Sequence, residues 1–111
     1  MRHRSRYYIL DEEKHIQRCD DLLTWARWFG KSELRIVART KVSGDCDVST
    51  VFLGMDHRFS LRGPPVLFET MVFGGPMHGE MWRYASYDDA EVGHAMAVKK
   101  VLAAMKARVA P

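Results

Sequence analysis

Asp56, His57, Glu69, His78 and His94 make a scattered acid–imidazole set of the types that bind metals. Carboxylates and imidazoles can converge on a metal from distant positions. Here no HxH, HExxH or CxxC spacing supports that. The simpler reading makes Asp56-His57 the start of a polar loop and His94 a satisfied, half-buried helix residue. No metal or cofactor is expected. The thiols Cys19 and Cys46 and the hydroxyls Ser49, Ser60 and Ser86 lack any nucleophile signature, and Ser86 reads as a helix cap. Gly74-Gly75 is followed by neither Lys-Ser/Thr nor a helix, so these glycines read as a turn and not as a phosphate cradle.

Two binding chemistries compete with these. Arg35, Arg39 and Lys41 alternate along one strand and, with Arg2, Arg4 and Arg6, would make a basic track for a nucleic-acid backbone. Tyr7, Tyr8, Trp25 and Trp28 offer stacking faces beside it. The bland counterpart is an ordinary solvated strand face. The other chemistry is protein binding. Three Trp, four Tyr, five Phe and seven Met are many for a body this small, and aromatics, Met and Arg are enriched at interface cores. Trp25 and Trp28 are three apart on one helix and cannot easily both face the core, while Phe59 and Leu61 sit at the tip of a long loop. All four are partner-binding candidates, set against the reading that they fill a thin core.

The positioning elements follow from pattern. The 111 residues are 47% hydrophobic and 28% charged, which suits a single domain with one modest core. No apolar run approaches the length of a membrane span. Tyr7–Leu10 is too short for a signal-peptide core, so a cytoplasmic protein with reduced cysteines is expected. The net charge of +3 is too mild for a dedicated nucleic-acid binder.

Residues 6–10 read as a strand. A helix should run from an Asp11 cap to Gly30, with Ile16, Cys19, Leu22, Leu23, Ala26 and Phe29 on its inner stripe. Residues 34–42 alternate as a strand with Leu34, Ile36, Ala38, Thr40 and Val42 inward. Residues 48–55 and 66–73 are nearly continuous apolar strands, a pattern that asks for two covering layers or a partner. Residues 80–85 make a last strand, and a Ser86-capped helix runs from about 87 to 108, its inner stripe built on Ala90, Gly93 or His94, Ala97, Val101 and Ala104. The expected fold is α+β in two layers: a mostly antiparallel sheet in the order β-α-β-β-β-β-α, with both helices packed on one face.

The segments VSTVFLGMDH (48–57), PVLFETMVFGG (65–75), Arg83-Tyr84 and AEVGH (90–94) resemble a group of small uncharacterised proteins encoded by bacteriophages and prophages. The resemblance covers roughly the C-terminal two-thirds and carries no established activity or catalytic residues. It implies an accessory protein of the host cytoplasm that acts by binding a host, defence or phage protein. Asp56, His57, Glu69, Arg83 and His94 all fall in the resembling stretches. An unpaired Glu69 amid Leu67, Phe68, Met71 and Val72 would be costly if buried, so it should find an Arg, His or water partner. The leading expectation is therefore a non-enzymatic protein-binding accessory protein. A nucleic-acid-binding protein and a metal-dependent enzyme using His57, Glu69 and His94 are the alternatives, and the oligomeric state is open.

Overall fold

The structure, a computed structural model, describes residues 6–58 and 62–109. The elements in chain order are strands β1 (Tyr8–Leu10) and β2 (Ile16–Arg18), helix α1 (Leu22–Phe29), a 3-10 turn (Ser32–Arg35), strands β3 (Ile36–Ser43), β4 (Cys46–Phe52), β5 (Phe68–Phe73) and β6 (Met81–Tyr84), and helix α2 (Tyr87–Val109). β3–β6 form an antiparallel sheet in sequence order, and β1–β2 form a separate antiparallel hairpin. The fold is α+β in two layers, as the patterning predicts, with one strand more than expected.

The strands sort their faces cleanly. Cys46, Val48, Thr50 and Phe52 of β4 are buried and alternate with half-buried Asp47, Ser49 and Val51. Phe68, Thr70 and Val72 of β5 do the same against Glu69 and Met71. α2 lies across the buried face through Ala90, His94, Ala97 and Val101, spaced at i, i+4, i+7 and i+11. Its alanines let the helix approach the sheet closely. Ser86 caps it by accepting from the Asp89 amide at 3.0 Å.

The core falls into two apolar clusters. One gathers Tyr8, Leu10, Phe52, Leu67, Phe68 and Ala90, with Trp28 and Tyr87 against it. The other gathers Cys46, Val48, Val72, Ala97 and Val101. Each fully buried Phe or Val contributes about 1.5–3 kcal/mol through burial. Between the clusters on β4, β5 and α2 lies a buried polar residue: Thr50 between Val48 and Phe52, Thr70 between Phe68 and Val72, His94 between Ala90 and Ala97.

Three expectations need correction. The first helix begins at Leu22, not after Asp11. Residues 16–18 pair with β1, and the Asp11 carboxylate instead closes the hairpin turn by accepting from the Glu13 and His15 amides at 2.9 Å each. Asp21 is the cap, accepting from Leu23 at 3.1 Å. The shortened helix turns Leu22, Leu23 and Ala26 outward, so the expected inner stripe is wrong at these positions. Its inward side carries Trp28, which meets Phe52 edge-on at 5.6 Å and so places α1 on the same sheet face as α2. Leu34 and Ile36 also face outward. A bulge between Ile36 and Ala38 leaves Val37 as the extra residue, and Val37 takes the core position instead. Finally, the first strand does not join the main sheet. It leads from a segment that runs antiparallel to residues 54–56.

Candidate functional site

The polar residues singled out in the sequence are held apart. Asp56 is buried at the base of the long loop. Its carboxylate accepts from the Arg58 and Val66 amides at 3.0 Å each and pairs with Arg58 Nε at 2.7 Å. Burial alone would raise this carboxyl, but those two amides and the Arg58 and Arg6 guanidiniums outweigh it and hold it below the ordinary carboxylate value. Asp56 is thus a clamp that closes the loop. His57 Nδ1 donates to the Met55 carbonyl at 2.7 Å. His78 Nδ1 accepts from the Gly74 amide at 2.7 Å and staples the turn after β5. Glu69 finds the arginine partner expected for it, Arg83 Nε at 3.1 Å, on the sheet face opposite to His94. Asp56, His57, Glu69 and His94 therefore form no cluster, and among the described residues no three His, Cys, Asp or Glu side chains gather as a metal site.

His94 sits in the polar band of the core. Its Nε2 is 2.8 Å from Thr40 Oγ1, its Nδ1 is 2.8 Å from Thr50 Oγ1, and Thr50 Oγ1 is 2.5 Å from Thr70 Oγ1. A hydroxyl beside an imidazole is the geometry of an activated nucleophile. Here Thr50 and Thr70 are fully buried, so no substrate reaches them. Desolvation lowers the His94 pKa from its ordinary 6.5, which keeps the ring neutral. The band is structural. Sequence reading singled out His94 but missed its two threonine partners, Thr40 and Thr50, and Thr70 behind Thr50. A hydroxyl at the centre of each of two otherwise apolar strands was the available signal.

The aromatic candidates are also occupied internally. Trp25 Nε1 donates to the Gly54 carbonyl at 3.0 Å and the Tyr8 carbonyl at 3.2 Å, while its ring packs on Tyr7 and Phe29. Trp28 lies on Phe52. Both are half-buried and engaged inside the fold. Phe59 and Leu61 lie outside the described residues, as do Arg2 and Arg4. Cys19 and Cys46 are both buried, and Cys19 Sγ donates to the Asp21 carbonyl at 3.4 Å. Burial, then the neighbouring Asp45 and Asp47, push the Cys46 thiol up, which makes it unreactive.

What remains open is the other face of the sheet. Register places its outward side chains in three cross-strand rows: Ile36, Val51, Glu69 and Arg83; then Arg39, Ser49, Met71 and Met81; then Lys41, Asp47 and Phe73. Ile36, Phe73 and Met81 are exposed, Phe73 to 47%. Each acid on this face has a cross-strand base: Asp47 lies 4.0 Å from Lys41, and Glu69 meets Arg83. Arg39 has no acid. It lines a shallow depression of about 400 Å³ with Arg35, Ser49, Val51 and Phe73. Arg35 is already engaged, with its guanidinium 4.0 Å over the Phe29 ring and Nε donating to the Phe29 carbonyl. Of the three basic candidates, Arg35 is stacked, Lys41 is paired and Arg39 is unengaged among the described residues.

No helix among the described residues is long and apolar enough to cross a membrane. Comparison with protein-family models, curated proteins and solved structures gives no match to this chain.

Proposed function

We propose that this chain is a non-enzymatic binding protein whose open sheet face docks another protein. One observation carries the reading. Both helices share one face of the four-stranded sheet, and the other face presents exposed Ile36, Phe73 and Met81 around half-buried Val51 and Met71. Apolar centres rimmed by charge are the anatomy of protein interfaces. The charge pattern narrows the partner. Asp47 and Glu69 are already neutralised, so the face offers one unmatched cation, Arg39, to a partner surface with a carboxylate beside an apolar patch. The resemblance to phage-encoded proteins supports an accessory role in the host cytoplasm. Comparative capture from host-cell extract tests this. A protein retained by the parent chain should be lost from Arg39→Glu and from Phe73→Ser, while Val92→Ser on the exposed side of α2 retains it. Equal capture by all three variants would overturn the reading.

The nucleic-acid reading keeps one favourable observation, the unpaired Arg39 beside Arg35. Against it, Tyr7, Trp25 and Trp28 are engaged inside the fold, which leaves Phe73 as the stacking ring on this face. Absence of any shift of single-stranded DNA or RNA in a gel at low ionic strength, where phosphate contacts are strongest, removes it.

A further inference from the structure

The sheet has two edges, and they are treated differently. β3 is bulged near both of its ends and points Arg39 and Lys41 outward, devices that discourage strand pairing. β6 has an unbroken register and no bulge. Val72 donates to the Glu80 carbonyl at 3.0 Å. Hydrogen-bonded pairs alternate along an antiparallel ladder, so Trp82 and Tyr84 direct their backbone groups to β5. Met81 and Arg83 then direct theirs away from the sheet, and no bond fills them among the described residues.

Beside this edge runs a groove of about 110 Å³ between β6 and α2, walled by Trp82, Tyr84, Met96 and Lys100. Met96 is 53% exposed although it faces the groove. Gly93 forms part of the floor. A Cβ at this position would lie 2.2 Å from the Tyr84 ring, so glycine is what lets that ring lie against the helix. Lys100 Nζ sits 5.2 Å over the Trp82 ring and has no acid partner among the described residues.

We propose that the β6 edge and this groove take an extended peptide as a fifth strand. Met81 and Arg83 would supply the main-chain hydrogen bonds. One peptide side chain of Val or Leu size would enter the groove against Met96, and an acidic residue next to it would meet Lys100. This is strand addition, in which backbone bonds give affinity and pockets for alternate side chains give selectivity. β6 is four residues long, so the bound stretch spans about 13 Å. The charge complementarity sets the occupant: Lys100 lacks an acid, and its neighbour on the helix is Lys99. This site is separate from the open face, and neither proposal requires the other.

The test uses a displayed library of random heptapeptides against the whole chain. Selected peptides should alternate apolar and acidic residues. Adding one should slow amide exchange at Met81 and Arg83 and shift the Met96 methyl resonance. Lys100→Glu should weaken binding about tenfold, the loss of one charge-assisted contact, and N-methylating the peptide backbone should abolish it. Arg39→Glu should leave binding unchanged, which separates this site from the open face. Peptides that leave the Met81 and Arg83 amides unprotected, that bind Lys100→Glu as well as the parent chain, or that fail to be selected at all would overturn the proposal.

Discussion

His94 Nδ1 and Thr50 Oγ1 face each other at 2.8 Å across the helix–sheet interface, midway between two apolar clusters. The pair locks α2 in register on the sheet, because sliding the helix by one turn would bury the imidazole against valine or phenylalanine. Its chemistry also makes the fold sensitive to acid. Folding lowers the His94 pKa below the 6.5 of the unfolded chain, so the unfolded state binds protons first as pH falls. Stability is therefore full above about pH 6.5 and declines as pH falls through that value toward the folded pKa. Urea midpoints at about pH 7.5 and about pH 5.5 should differ in the parent chain, and the difference should shrink in His94→Gln. The Asp56 carboxyl has its pKa lowered too, but its contribution is lost only below about pH 3.8, outside that window.

The band also predicts non-additivity. Thr50→Val removes a hydroxyl that serves both His94 and Thr70, and it should cost about 1–3 kcal/mol by leaving buried partners unsatisfied. Replacing Thr50, Thr70 and His94 together with Val, Val and Leu removes both sides of the Thr50–His94 and Thr50–Thr70 bonds and should cost less than the sum of the single changes. Chemical denaturation of the parent chain, the three single variants and the triple variant measures this.

Asp56 should matter more than its loop position suggests. Asp56→Ala strips two amides and a guanidinium of their acceptor and should cost about 2–4 kcal/mol. Limited proteolysis would show faster cleavage within residues 57–65, with the main sheet still protected.

Gly74 has φ of 82°, and a Cβ there would lie 1.7 Å from the Asp45 carbonyl oxygen. The contact is with backbone, so it cannot be relieved by a rotamer change. Gly74→Ala should lose about 2 kcal/mol or more, read as a drop in melting temperature. Gly44→Ala, which has nothing within 4 Å and no positive φ, is the control.

The parts legible in the sequence were those where one physical rule acted alone. Alternation placed Thr40 and Val42 inward, the Ser86 cap located α2, and the cost of a bare Glu69 anticipated its pairing with Arg83. The failures came where two rules competed. Ile16 and Cys19 fit a helical stripe, yet hairpin pairing with β1 claimed residues 16–18. Leu34 and Ile36 fit the strand period, yet Leu34 falls in the 3-10 turn and the bulge at Val37 puts Ile36 on the outer side. The tryptophans looked like surplus aromatics because their hydrogen-bond and ring partners, Gly54 and Phe52, lie far away in sequence. The continuous apolar runs of β4 and β5 did carry a message. Their inner residues build the core, and their outer ones, Val51, Met71 and Phe73, build a face that the described residues leave uncovered.

That face is best tested by site-specific photocrosslinking inside the cells in which the chain is expressed. Replacing Phe73 with benzoylphenylalanine puts an aromatic probe at the centre of the proposed contact, and replacing Val92 puts the same probe on the exposed side of α2. The account predicts one discrete protein adduct from position 73 that disappears when Arg39→Glu is added, and none from position 92. An adduct to nucleic acid at position 73, the same protein adduct from both positions, or no adduct from either would contradict it.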